Sequence, residues 1–191
     1  MRTLTKTRDG LLSVDQYSLI NKALLLLVGT GILTLSSYIE VPMVPVPMTM
    51  QTYAVLMLAC LYGLRMGTIN VLVWLGLAAL GAPLLAGATG GLIKFVGPTA
   101  GYLLGFIIAT AFVGYFSDRG INGKRPLLAF IMMFIGTKII LGLGYLWLGL
   151  QIGWQEAWIT GVAPFLFGDF VKVALAVATV TGFQSLTQNK P

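Results

Sequence analysis

Six apolar stretches, separated by short charged or proline- and glycine-rich segments, are the feature that most limits how this chain can fold. Hydrophobic residues make up 57% of the 191 residues, and charged residues only 9%. A helix needs about 20 predominantly apolar residues to cross a bilayer. We therefore predict an all-α integral membrane protein that forms a single membrane domain over 1–191, with six transmembrane helices at roughly 17–39, 49–64, 67–80, 99–116, 126–150 and 161–183.

The two shortest stretches, 49–64 and 67–80, are ambiguous by length alone, because runs of this size also form re-entrant or buried helices. The charges favour counting both as crossings, since basic residues collect on the cytoplasmic side of membrane proteins. Six crossings place Lys94 on one side and nine basic residues on the other: Arg2, Lys6, Arg8, Lys22, Arg65, Arg119, Lys124, Arg125 and Lys190. This asymmetry predicts a multi-pass protein of the cell membrane with both termini in the cytoplasm.

Several functional classes are disfavoured by what the sequence lacks. The net charge of +6 suggests nucleic acid, but the basic residues are scattered through short loops without interleaved aromatic residues. A chain with no histidine and one cysteine, Cys60, does not form the common zinc sites. No serine or cysteine stands beside a base, as the usual nucleophilic enzymes require. We therefore expect no enzyme, no metal site, no cofactor and no nucleic-acid partner.

Three ionisable residues, Lys138, Asp169 and Lys172, lie inside the predicted membrane helices. A charged side chain near the bilayer centre costs roughly 2.5 to 3.5 kcal/mol, so these residues are candidates for function. Asp169 and Lys172 are three positions apart and share one helix face. Counting about 1.5 Å per residue from the helix ends brings all three to a similar depth near mid-bilayer. The cluster then carries one surplus positive charge, which a bound monocarboxylate would cancel.

Two alternatives remain open for these charges. Asp169 and Lys172 would survive burial simply by neutralising each other, although a buried ion pair is a weak source of stability. Lys138 would alternatively face a water-filled cavity or a partner subunit.

The segment 81–98 is too apolar for an ordinary solvated loop. Irregular backbone at membrane depth is tolerated where it is buried in protein or lines a cavity, so we expect this segment to turn back toward the helices. Its glycines, Gly90 and Gly91, would then allow a ligand to approach the backbone closely. The alternative is a flexible connector.

Small residues recur every four positions at the start of the fourth predicted helix: Gly97, Gly101, Gly105 and Ala109. Such a stripe lets two helix backbones pack closely. Packing inside the monomer is favoured over a dimer interface.

Four blocks of sequence resemble one known family. They are Pro45-Val46-Pro47-Met48-Thr49-Met50-Gln51-Thr52, the glycine-rich loop ending at Gly90-Gly91, the segment 97–106 that begins Gly97-Pro98-Thr99, and Pro164-Phe165-Leu166-Phe167-Gly168-Asp169-Phe170-Val171-Lys172. With these blocks in this order, the chain is similar to the biotin-specific substrate-capture subunits (S components, BioY) of energy-coupling factor (ECF) transporters. The resemblance covers nearly the whole hydrophobic chain.

This resemblance implies the six-helix ECF S-component fold, with high-affinity biotin binding near the outer side beneath the loop after the first helix. It also implies partners: a membrane-embedded coupling subunit and two cytoplasmic ATPases, beside the membrane lipids. The family's docking pattern on the first helix is Ala-x-x-x-Ala, and Thr30 and Thr34 stand at those positions here. Biotin is then the transported ligand and not a cofactor.

Biotin suggests roles for the polar residues. Its ureido ring has two N–H donors and a polarised carbonyl, which suit a carboxylate acceptor beside an ammonium donor. Asp169 would accept from the ureido N–H groups and Lys172 would donate to the carbonyl, with Gln51 and Tyr102 as further polar contacts. Alternatively, Lys172 binds the valerate carboxylate. Apolar walls are expected from Trp74, Met50 and Leu92.

Other functions remain open at this point. One alternative is an S component of the same architecture for another small vitamin or carboxylate. Another is a carrier of this architecture that works without ATPases. A membrane enzyme acting on a lipid, or a purely structural partner, fits the residues less well.

Overall fold

The computed structural model describes residues 12 and 17–188, and it is built almost entirely from helices. Five of these are long and apolar enough to cross a membrane. The helices are α1 (Leu19–Tyr38), α2 (Gln51–Ala79), α3 (Ala100–Ser117), α4 (Pro126–Ile152), the short α5 (Trp154–Gly161) and α6 (Phe165–Gln188). Four residues of the predicted charge asymmetry, Arg2, Lys6, Arg8 and Lys190, lie outside the described residues.

Helix α2 is folded back on itself at Gly63. This residue has φ +76° and ψ −175°, a conformation that is essentially restricted to glycine. A Cβ atom on Gly67 would lie 3.3 Å from the Cα of Ala59. These residues are eight apart, which would separate them by about 12 Å in a straight helix. The arms 51–62 and 64–79 therefore run antiparallel in close contact.

The first arm of α2 follows most of the length of α1, and the second arm contacts α1 at Asn70. Near one end, the Tyr62 hydroxyl donates to Leu25 O at 3.0 Å. At the other end, the Met50 N–H donates to Ser36 O at 3.2 Å. The bundle thus has six helical passes. Where the sequence suggested a break around Arg65, the structure has a reversal at one glycine.

The last pass is made by α5 and α6 together. Trp158 of α5 lies against Tyr145 of α4, with 6.1 Å between ring centroids, so α5 returns along the final turns of α4. At the opposite end, a Cβ on Gly123, just before α4, would lie 2.9 Å from Val180 O of α6. These two contacts fix the antiparallel register between α4 and the last pass. The predicted stretch 161–183 missed α5.

The small-residue stripe of α3 packs inside the protein, as favoured from the sequence. A Cβ on Gly101 would lie 2.4 Å from Leu143 O, and one on Gly105 would lie 2.8 Å from the Cα of Ile140. The absence of side chains at these positions lets the α3 and α4 backbones approach each other.

Two connections lie together at one end of the bundle, which we call the cavity end. Residues 39–50 form a small antiparallel hairpin of β1 (Glu40–Val41) and β2 (Met48–Thr49). Residues 80–99 contain a short 3-10 helix, Leu92–Phe95. Hydrogen bonds join this second connection to α1 and β1: Tyr38 donates to Pro83 O, Ser37 Oγ to Leu84 O at 2.6 Å, and the Gly87 N–H to Glu40 Oε2 at 3.1 Å.

Candidate functional site

A cavity of about 270 Å³ opens beneath the two connections at the cavity end. Its walls come from both connections, from the first turn of α2, and from α3, α4 and α6. The lining residues include Pro45, Pro47, Gln51, Leu85, Lys94, Tyr102, Phe106, Leu141, Phe165, Asp169 and Lys172. Most of the lining is therefore apolar or aromatic, with a few charged and amide groups, as is typical of small-molecule sites.

The charged wall of the cavity is the pair formed by Asp169 and Lys172 on α6. Lys172 Nζ lies 3.8 Å from Asp169 Oδ1, one helical turn away. Both residues are buried, at 2% and 6% exposure. The separation exceeds the roughly 2.7–3.2 Å of a direct N–H···O hydrogen bond. The pair is therefore close enough to neutralise its charges but leaves hydrogen-bonding capacity for a third group.

Gln51, at the start of α2, lines the cavity and carries an unused hydrogen-bond donor. Its Oε1 accepts a hydrogen bond from Thr49 Oγ1 at 3.0 Å, which fixes the amide. Its Nε2 is buried and has no hydrogen-bond partner within the described part of the chain. Because an unpaired buried donor costs about 1–3 kcal/mol, a ligand that supplies an acceptor here gains affinity.

Tyr102 also lines the cavity, but with its ring. Its hydroxyl donates to Gly161 O at 2.8 Å, which holds the end of α5 against α3. The ring lies 6.3 Å from that of Phe165, a second lining residue. Tyr102 therefore lines the cavity while its hydroxyl proton is used within the protein, and the predicted polar contact with a ligand stays a prediction.

Gly90 and Gly91 are not among the lining residues. A Cβ on Gly90 would lie 2.2 Å from Ala82 O, so this glycine lets the connection pack on itself. Gly91 has φ +91° and donates its N–H to Ala78 O at 2.7 Å. The close approach that we assigned to a ligand is made by the protein's own backbone. Other parts of the connection do turn inward: Leu85 is buried and lines the cavity.

Lys138 does not line the cavity either. It is half-buried near the middle of α4, with its Nζ 4.5 Å from the ring centroid of Phe134. The apolar walls also differ from expectation. Trp74 is fully buried behind the lining residue Phe106, Leu92 is 72% exposed, and Met50 is not part of the lining.

Lys94 was not proposed as a ligand contact from the sequence, yet it lines the cavity. It lies on the 3-10 helix, which packs against α2 and α3. One sequence feature could have identified Lys94 as a ligand contact: it is the single basic residue on the outward side of the predicted topology. The cavity lining therefore contains three charged groups, those of Asp169, Lys172 and Lys94, with a net charge of +1.

A bundle of apolar helices that encloses a partly charged cavity at one end defines a ligand-binding integral membrane protein. The family model described as the BioY family matches residues 5–189. The chain belongs to the BioY family.

Named relatives agree with this assignment. A protein of Pyrococcus horikoshii described as "Probable biotin transporter BioY" is 33% identical over 81% of this chain and 90% of its own length. The "Biotin transporter BioY" of Rhizobium etli is 37% identical over 72% of this chain and 78% of its own length. The prediction of a transporter family, and not an enzyme family, is confirmed.

A solved structure supports the fold. The crystal structure of the S-component for biotin from an ECF-type ABC transporter matches with a TM-score of 0.77 and 25% identity, over 88% of this chain and 95% of that one. The predicted S-component fold is confirmed.

Proposed function

We propose that this chain is the biotin-binding membrane subunit of an ECF-type uptake transporter. The observation that carries the proposal is the buried pair of Asp169 and Lys172, which lies in the wall of an apolar cavity beside the unused donor of Gln51. Biotin has a small polar ring and an apolar ring fused together, with an acid at the end of a short chain. Each part has a counterpart among the lining residues.

The ureido ring fits the pair on α6. Asp169 accepts from the ring N–H groups, and Lys172 donates to the carbonyl oxygen, while the unused Nε2 of Gln51 is a further donor from the cavity wall. Hydrogen bonds to charged groups contribute about 1.5–3 kcal/mol each, so this end supplies most of the polar recognition. Phe106, Phe165 and Leu141 provide apolar surface for the thiophane ring and the chain.

The carboxylate of biotin fits Lys94. The net charge of the lining is +1, and a monocarboxylate neutralises it. Lys94 stands on the 3-10 helix, whereas Lys172 stands on α6, so the two ammonium groups approach the cavity from different walls. This arrangement favours Lys94 for the carboxylate and leaves Lys172 for the ureido carbonyl. No metal or cofactor enters the proposal, and biotin is cargo.

The transporter proposal includes a membrane-embedded coupling subunit, two cytoplasmic ATPases and the surrounding lipids. Helix α1 is the natural docking element, because only 17% of its apolar window is buried inside the protein. The hydroxyl of Thr30 accepts from Asn70 Nδ2 of α2, and that of Thr34 donates to Thr30 O. These hydroxyls are satisfied within the subunit, so the docking face consists of the exposed flank that includes Leu27 and Gly31. We further propose a cell-membrane location with both termini in the cytoplasm.

Calorimetric titration of the purified protein with biotin tests the proposal. We expect tight one-to-one binding, with much weaker binding of other small vitamins and carboxylates. Glu156→Gln, which neutralises an exposed acid on α5, is the matched control and should bind like the parent. Heat identical for biotin and an unrelated vitamin would reject the assignment. Uptake by liposomes that contain this chain alone distinguishes a self-sufficient carrier from an ATPase-dependent subunit.

A further inference from the structure

Lys138 is a charged residue of the membrane bundle that the proposed biotin contacts leave unused. It lies 12 residues from the start and 14 from the end of α4, a helix with an 18-residue window of mean hydropathy 2.1. A lysine at such a depth costs roughly 2.5–3.5 kcal/mol unless something stabilises its charge. The ring of Phe134, 4.5 Å from Nζ, supplies part of that stabilisation through a cation–π contact.

The register of the bundle places Lys138 at a level similar to that of Asp169. The contacts of Trp158 with Tyr145 and of Val180 with Gly123 tie the last pass to α4 at two levels. Position 169 lies midway between 158 and 180, and position 134 lies midway between 145 and 123. Asp169 is therefore level with Phe134, over whose ring the ammonium of Lys138 lies.

A chain of aromatic contacts also joins the two positions. Phe134 stacks on Phe130 with 6.0 Å between centroids, and Phe130 contacts Phe170, the neighbour of Asp169, at 5.4 Å. Only Lys172 lies within 4.0 Å of the Asp169 carboxylate among the described residues, so Lys138 acts on this carboxylate over a longer distance and more weakly than Lys172 does. The pair with Lys172 faces the cavity, whereas Lys138 lies outside its lining.

The charged and polar groups around Asp169 differ in whether they line the cavity and can therefore contact a ligand. Lys172, on the same helix, lines the cavity, as does Lys94 on the opposite connection. Gln51 of α2 and Tyr102 of α3 are neutral lining groups. Lys138 of α4 is the cation that a ligand in the cavity does not contact. When a ligand carbonyl takes hydrogen bonds from Lys172, the carboxylate loses part of its compensation from that side.

Resting on the proposed function, we propose that Lys138 is a positioning residue that stabilises the charged carboxylate of Asp169 from outside the cavity and so leaves Lys172 free to donate to the ligand. Two cations share one carboxylate in the empty protein. In the ligand-bound protein, Lys138 compensates the negative charge of Asp169 while Lys172 donates a hydrogen bond to the ligand. The residue thus acts on affinity through Asp169 without touching the ligand.

Calorimetric titration with biotin tests this inference on the parent, Lys138→Met and Lys138→Arg. We expect Lys138→Met to weaken binding about tenfold, which corresponds to about 1.4 kcal/mol, and Lys138→Arg to restore affinity to within about twofold of the parent. The melting temperature of ligand-free Lys138→Met should not fall, because the change removes a charge from the membrane interior. Ile135→Met, an exposed position on the same helix, is the matched control.

A second comparison isolates the route through Asp169. In an Asp169→Asn background, measured by competition against labelled biotin, Lys138→Met should cause no further loss beyond about twofold, because coupled residues are not additive. Parent-like binding by Lys138→Met, or an equal loss with and without Asp169, would overturn the inference. Failure of the parent itself to bind biotin would instead overturn the proposed function.

Discussion

The clearest separation of structural from ligand-binding roles comes from neutralising the α6 pair one residue at a time and then together. Asp169→Asn removes the negative charge, Lys172→Met removes the positive charge, and the double variant removes both. The two side chains lie 3.8 Å apart at 2% and 6% exposure. Each single change therefore removes the immediate partner of one buried charge, whereas the double change removes both members of the pair and leaves only the ammonium of Lys138 on the neighbouring helix.

The magnitudes follow from this geometry. Breaking a buried pair by removing one partner costs about 3–5 kcal/mol, whereas replacing both partners is often neutral. We therefore expect both single variants to melt below the parent and the double variant to recover most of the loss. Biotin binding should behave differently. Each variant loses charge-assisted hydrogen bonds worth about 2–5 kcal/mol, so affinity should fall at least roughly thirtyfold in all three.

Thermal unfolding of the ligand-free proteins and calorimetric titration with biotin measure the two effects separately. Glu156→Gln again serves as the control for removal of a charge. A double variant that both melts and binds biotin like the parent would refute the reasoning, because the pair would then serve only to neutralise itself.

Three further predictions concern other parts of the molecule. Gln51→Leu removes both the unused Nε2 donor and the acceptor of Thr49 Oγ1, so the two effects on stability oppose each other, and biotin binding should weaken roughly fivefold or more with little change in melting temperature; unchanged calorimetric affinity would remove Gln51 from the site. Lys94→Gln should weaken binding of biotin but not of its uncharged amide, so equal losses in a competition assay would contradict the carboxylate assignment. Gly63→Ala forces a non-glycine residue into φ +76° and should cost about 1–3 kcal/mol, whereas Gly142→Ala, at an open helical position, should leave the melting temperature unchanged; equal melting temperatures would be the contrary result.

The passes could be predicted because bilayer thickness imposes a length and an apolar composition on each helix. The reversal within α2 lies at Gly63, two residues before Arg65, where the sequence suggested a break. Arg65 is conspicuous in an apolar run, whereas Gly63 resembles many other glycines in this sequence. Only the backbone conformation reveals that Gly63 carries the reversal. The short helix α5 was missed for a related reason: its eight residues are too few to give a hydropathy signal.

The sequence indicates which residues share a face where their spacing is local, but not which residues meet through tertiary contacts. Asp169 and Lys172 share a face because they are three positions apart on one helix. Whether Lys94 enters the cavity, and whether Gly90 faces a ligand or Ala82, depends on how a long connection lies over three helices. Sequence periodicity carries no information on that arrangement.

The hydrogen bond between Glu40 and the Gly87 N–H has a consequence for ligand exchange. It joins β1 to the second connection and is exposed to solvent. An exposed hydrogen bond contributes only about 1 kcal/mol, much less than the polar contacts expected within the cavity. Breaking this hydrogen bond therefore costs less than breaking the polar contacts proposed for a bound ligand. We therefore expect the residence time of a bound ligand to depend more on the polar contacts within the cavity than on the hydrogen bond between Glu40 and the Gly87 N–H.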